Sequence, residues 1–167
     1  SEYRPIGATN FMGRYCLVDF PLSNMANSDI EQIHVYIKDK PRSLIKHIGD
    51  GRIYNINTKR GYVRLLGGEK RIQNDAYNTD INAFVENMRY IEDANKEYVV
   101  IAPCNFIYLL DFNDLIADHQ ETGADVTIAY NEQEVPAGLL DMRPDQGFYY
   151  SYAIEDGRVA KIYVNPK

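Results

Sequence analysis

The 167-residue chain predicts an α/β fold, a mostly parallel sheet with an added antiparallel hairpin, and three observations carry that expectation. First, runs rich in β-branched residues alternate with segments whose apolar residues recur at helical spacing, the order that builds parallel sheets. Second, the run Tyr98-Val99-Val100-Ile101-Ala102 is apolar throughout, as expected of a strand buried on both faces. Third, Phe148 to Ile154 and Val159 to Val164 flank Glu155-Asp156-Gly157-Arg158, and Asp-Gly between alternating runs signals a hairpin.

Taken in order, Ser1 to Met12 shows no period, and Pro5, Gly7 and Gly13 mark it as an ordered connector. A short helix is expected over Leu22 to Ser28, then a strand over Ile30 to Ile37. Pro41 opens a helix carrying Leu44, Ile45 and Ile48 that stops near Gly49. Tyr62 to Leu66 is a strand closed by Gly67-Gly68, where a plain turn is the better reading than a phosphate loop. From Thr79 to Ala94, Ile81, Phe84, Val85, Met88 and Ile91 recur as one helical stripe that leads into the Tyr98 strand. Asp111 to Thr122 is a helix stopped by Gly123, and Val126 to Tyr130 is a strand. No repeat, low-complexity tract or domain linker interrupts residues 1–167, which read as one domain.

Composition narrows the function classes. With 19.2 kDa the chain can bury roughly two-thirds of its unfolded surface. A net charge of -6 argues against nucleic-acid binding, which calls for a basic face. Cys16 and Cys104 are too few and too scattered for a disulfide framework or a cysteine-based zinc site, and read as reduced thiols. No apolar run approaches the roughly 20 residues of a membrane span, so a cytoplasmic protein is expected. His34, His47 and His119 lack metal-ligand spacing and read as structural or surface residues. Lys38, Asp39, Lys40 and Arg42 read as a solvated charge run before a phosphate contact. Asp19 is expected to satisfy backbone donors.

The residue of most chemical interest is Asn105. Ligands gather beyond the carboxyl ends of parallel strands, and Asn105 is the first polar residue after the Tyr98 to Ala102 run and Pro103-Cys104. A neutral amide lacks the charged oxygens that suit a hard cation such as Mg²⁺.

Several blocks then resemble one known family. Gly13-Arg14-Tyr15-Cys16-Leu17-Val18-Asp19-Phe20-Pro21-Leu22-Ser23-Asn24, Ser43 to Ile48, Arg71 to Ala83, Tyr98 to Asp111 and Ala117 to Thr127 resemble the N-terminal domain of ADP-glucose pyrophosphorylases, the glucose-1-phosphate adenylyltransferases. The resemblance runs from about Arg4 to Pro166 and implies a Rossmann-like sheet of the nucleotide-diphospho-sugar transferase type. It also implies that this chain begins after the family's first strand and Gly-rich loop and ends before its C-terminal β-helix. A partial domain, incomplete at both ends and with an unpaired sheet edge able to meet another copy, is therefore expected.

The departures from the family pattern concern its pocket. Where the resemblance implies Gly-Asp-His with an Mg²⁺-binding Asp, the chain has Cys104-Asn105-Phe106. Where it implies a sugar-phosphate Lys, the chain has Asn165. The nucleotide and sugar segment becomes Tyr77-Asn78-Thr79-Asp80-Ile81-Asn82-Ala83, in which Tyr77 persists while Thr79 fills a Gly position and Asp80 follows it. Tyr150 takes a second Gly position. Nucleotidyl transfer depends on Mg²⁺ and cationic clamps, so losing both implies a deficit of ~10³-fold or more. The pattern resembles the non-catalytic, GlgD-like regulatory subunit: no catalytic residue, no metal of its own, and a catalytic adenylyltransferase subunit or a second copy as partner. An active enzyme, for which Asp111 is the compensating carboxylate, is the second expectation. A sensor of nucleotide sugar or sugar phosphate, using Tyr77 and the Arg71 region, is the third.

Overall fold

The computed structural model describes residues 5–37, 40–56, 59, 61–67, 80–132, 134 and 150–164. The chain divides into two compact units, Ser1–Thr127 and Ile128–Lys167.

The first unit opens on a 3-10 turn, Ile6–Ala8, and a small hairpin in place of the expected connector. Strand β1 (Asn10–Phe11) pairs antiparallel with β2 (Tyr15–Cys16), and Met12 and Gly13 take positive φ in the turn. Two further backbone bonds, Leu17 N–H to Thr9 O and Val18 N–H to Gly7 O, carry the pairing on. Helix α1 (Asp19–Asn27) begins three residues before the expected Leu22. Pro21 is compatible with this start because a first-turn residue needs no intrahelical N–H donor. Ser28 closes the helix by donating its backbone N–H and its hydroxyl to Asn24 O.

The central unit is strand, helix, strand. Strand β3 (Gln32–Ile37) pairs in parallel with β4 (Tyr62–Gly67), in register from Gln32 opposite Tyr62 to Ile37 opposite Gly67. Helix α2 (Arg42–Ile48) and a 3-10 turn, Arg52–Tyr54, make the crossover. The strands begin at a close approach: Tyr62 N–H donates to Glu31 O at 2.8 Å, and a Cβ on Gly61 would overlap that same carbonyl. Only glycine fits there without displacing backbone.

Alternation sorts the sheet's two faces. Ile33, Val35, Ile37, Val63 and Leu65 face the core, where they meet Leu22, Leu44, Ile48, Tyr54 and Ile56. Ile48 is only 1% exposed, and burying such a side chain contributes about 1.5–3 kcal/mol. The opposite face is aromatic. Tyr36 meets Phe84 edge-on at 4.9 Å, His34 stacks on Tyr62 at 5.5 Å, and the Arg64 guanidinium lies over Tyr62 and Tyr90 at 4.7 and 4.8 Å. Burial first, and Arg64 second, hold the His34 pKa below its ordinary value.

The expected Thr79 to Ala94 helix is two helices, α3 (Asp80–Glu86) and α4 (Met88–Asp93). Asn87 breaks it: its backbone leaves the helical region and its side chain donates to Ala83 O at 2.9 Å, local bonding with which Asn competes against helix. Of the expected inner stripe, Phe84 packs on Tyr36, whereas Ile81, Val85 and Met88 are exposed.

The Tyr98 to Ala102 run corrects a second expectation. It carries no regular secondary structure, among the described residues no strand pairs with it, and its burial alternates, with Val99 and Ile101 exposed. Val126 to Tyr130 likewise carries no regular secondary structure and no ladder among the described residues, with Val126 exposed. An apolar run sets extended propensity, but a strand exists only where a neighbour completes the ladder.

Helix α5 (Phe112–Thr122) is as expected: Asp111 caps it by accepting the Asn113 N–H at 2.9 Å, and Gly123 ends it in the left-handed conformation. In the second unit, β5 (Tyr150–Glu155) and β6 (Arg158–Val164) form the expected hairpin. Asp156 and Gly157 both take positive φ, 50° and 73°, as a type I′ turn requires. The pairing is irregular after Ala153. No helix among the described residues is long and apolar enough to cross a membrane.

Candidate functional site

The segment carrying Asn105 is held from several directions. Residues 104–106 form a bend in which Asn105 is exposed and Cys104 half-buried. A Cβ on Gly7 would come within 3.2 Å of Cys104 Sγ, so the thiol occupies space that a side chain at position 7 would fill. Burial raises the Cys104 pKa, and the Asp80 carboxylate raises it further. Burial likewise pushes Tyr108 up to about 12, with Cys104 adding to the effect.

Beyond the bend, α1 tethers the chain. The Asn24 side-chain amide donates to Tyr108 O at 3.0 Å, the one Ser28 hydroxyl proton is shared between Asn24 O and Asp111 Oδ1, 3.1 Å away, and Phe112 N–H donates to Ser28 Oγ at 2.9 Å. Between helix and segment lies an open groove of about 520 Å³, lined by Tyr15, Asp19, Phe20, Asn24, Tyr108 and Leu109 among others. The polar residues that end α1 therefore set the position of the stretch after Asn105. Sequence reading missed this role, because Asn24 and Ser28 reach partners 84 and 83 residues away.

The α1 start is fixed by its own polar cluster. Asp19 Oδ2 accepts the Cys16 backbone N–H at 2.7 Å, as the sequence suggested, while Oδ1 accepts from the Tyr54 hydroxyl and faces His47 Nε2 at 2.7 Å. Burial, with this hydrogen bond second, drives the Tyr54 pKa far above the ordinary phenol value. His47, expected as structural or surface, belongs to this cluster. Its position 28 residues from Asp19 gave no local signal.

The chemistry of Mg²⁺ fits this bend poorly. Asn105 supplies a neutral amide, and Asp111, the carboxylate expected to compensate, is engaged by Ser28 and by the cap of α5. Asp80 is exposed and is the carboxylate felt at Cys104. Tyr77, Thr79 and Asn165, like Arg71, Lys38 and Asp39, lie outside the described residues. Tyr150, expected to crowd a pocket, is exposed on β5 in the second unit.

Comparison with known proteins gives the arrangement its context. Residues 5–143 match the family model described as nucleotidyl transferase. A glucose-1-phosphate adenylyltransferase of Thermotoga neapolitana is 38% identical over 126 residues, covering 75% of this chain and 30% of its own length. One from Clostridium perfringens is 37% identical over 123 residues, covering 73% and 32%. Another from Clostridium botulinum is 33% identical over 147 residues, covering 85% and 38%. The chain spans about a third of the length of these curated relatives. With a family model matching most of its residues, the chain belongs to the nucleotidyl transferase family, within which the relatives it resembles are glucose-1-phosphate adenylyltransferases.

Proposed function

We propose that the protein containing this chain is a regulatory, catalytically impaired subunit of glucose-1-phosphate adenylyltransferase, serving ADP-glucose and glycogen biosynthesis by associating with a catalytic subunit. The observation that carries this reading is Asn105, an exposed neutral amide on the bend where the resemblance implies a metal-binding carboxylate. A charge-neutralising cation is the main catalytic resource of nucleotidyl transfer, so its weakened binding lowers the rate more than any change in substrate packing. The chain itself then needs no cofactor.

The test is turnover of ATP and glucose 1-phosphate with Mg²⁺ by the full-length protein, alone and with a catalytic partner. The expected rate alone is ~10³-fold or more below that of an active homologue, with the partner's rate or effector response altered on mixing. An ordinary enzyme rate from the purified subunit overturns the proposal.

Asp80 favours a second reading, an active enzyme with a displaced carboxylate. It stands at the start of α3 within electrostatic reach of Cys104, next to Asn105. On that reading Asp80→Asn abolishes a measurable rate; on the first there is little rate to lose.

A further inference from the structure

Cys16 and Asp19, three residues apart, and His47, 28 residues beyond Asp19, come from three elements: the end of β2, the first residue of α1 and the last turn of α2. Their sulfur, carboxylate oxygen and imidazole nitrogen all lie within 4.8 Å of one another. Cys16 and Asp19 are buried and His47 is partly exposed. We propose that these three side chains form a binding site for a borderline-soft divalent cation, of which Zn²⁺ is the type.

Donor chemistry selects the ion class. Thiolate and imidazole favour Zn²⁺ or Co²⁺, whereas Mg²⁺ and Ca²⁺ take oxygen ligands. Tetrahedral ligands at about 2.0–2.3 Å from zinc stand roughly 3.3–3.7 Å apart, so the widest pairs close by about 1–1.5 Å while His47 Nε2 and Asp19 Oδ1, now 2.7 Å apart, open by about 0.6 Å to admit the ion. Asp19 is already oriented for such a role. The Cys16 N–H holds Oδ2 and the Tyr54 hydroxyl holds Oδ1, the outer contacts that fix a ligating carboxylate. The Cys16 thiol donates toward Asn10 Oδ1 at 3.6 Å and Ala8 O at 3.9 Å, hydrogen bonds that a metal–sulfur bond would replace. Tyr15 and Asp19 also line the open groove, which gives an ion and a fourth, water ligand a route in.

The proton balance follows from the geometry. Facing a carboxylate at 2.7 Å, His47 Nε2 carries a proton, which the metal replaces. A neutral imidazole shifts that proton to Nδ1 and keeps it; an imidazolium releases one to solvent. The Cys16 thiol releases its own as the thiolate forms. Bound metal would link β2, α1 and α2 at the point where α1 begins. The site is separate from the Asn105 bend and does not depend on the proposed function.

Co²⁺ titration of chelator-treated full-length protein tests the site, with Cys16→Ser, His47→Gln and Cys104→Ser variants alongside. The expected result is a thiolate-to-cobalt charge-transfer band in the near ultraviolet that is lost in Cys16→Ser, weakened at least tenfold in apparent affinity in His47→Gln, and kept in Cys104→Ser. Zn²⁺ should raise the Tm of the wild type and not of His47→Gln, a partly exposed position whose variant folds even if Cys16→Ser does not. No band at saturating Co²⁺, or a band unchanged by both Cys16→Ser and His47→Gln, overturns the proposal.

Discussion

The start of α1 and the segment after Ala102 sit in the same compact unit and are built in opposite ways. At the α1 start, Asp19 gathers Cys16, Tyr54 and His47 into one polar cluster over a core in which Leu22 and Ile48 are fully buried. Around 99–112, Val99, Ile101, Phe106 and Leu109 are exposed, and Asn24 and Ser28 hold the segment, with no strand ladder among the described residues. One region is stabilised by what it buries. The other is positioned by a few hydrogen bonds that leave its side chains open to exchange.

Substitutions can break this contrast, and the largest effect is expected at Asp19. Asp19→Ala strands the Tyr54 hydroxyl and the Cys16 N–H in a buried setting, and about 3–5 kcal/mol of stability should be lost in urea unfolding. Gly61→Ala places a methyl group against Glu31 O and should cost about 1–3 kcal/mol, with the β3–β4 amides losing protection in hydrogen exchange. Ser28→Ala removes the hydroxyl shared by Asn24 O, Asp111 and Phe112 N–H. It should cost about 1–2 kcal/mol and loosen residues 108–112 before the core. Leu109→Ser, at a side chain 91% exposed, should shift stability by less than about 0.5 kcal/mol. If Leu109→Ser instead destabilises as much as Ser28→Ala, the segment is packed in solution and the contrast fails.

What could be read from the sequence was local. β3, α2, β4, α5 and the Asp156-Gly157 hairpin each announce themselves through periodicity, a cap or a turn within a few residues. Asn87 was hidden inside a good helical stripe, because one side chain bonding its own backbone leaves hydrophobic spacing intact. Strand pairing of residues 98–102 could not be read at all, since a ladder belongs to two segments. The Asp19 cluster escaped for the same reason, with His47 and Tyr54 arriving from 28 and 35 residues downstream. Of the candidate site, Asn105 stood out by its place after an apolar run and Asp80 by its place in the segment that the resemblance aligns with the family pocket, while the electrostatic effect of Asp80 on Cys104 spans 24 residues and left no local signal.

The tether between α1 and the chain after the bend has an evolutionary corollary. Because Asn24 fixes Tyr108 and Cys104 abuts Gly7, neither contact uses the side chain at position 105. An exposed amide and a carboxylate are interchangeable there at a stability cost within about 0.5 kcal/mol. Exchange between amide and carboxylate at that position, in either direction, is therefore open to this scaffold without passing through an unfolded intermediate.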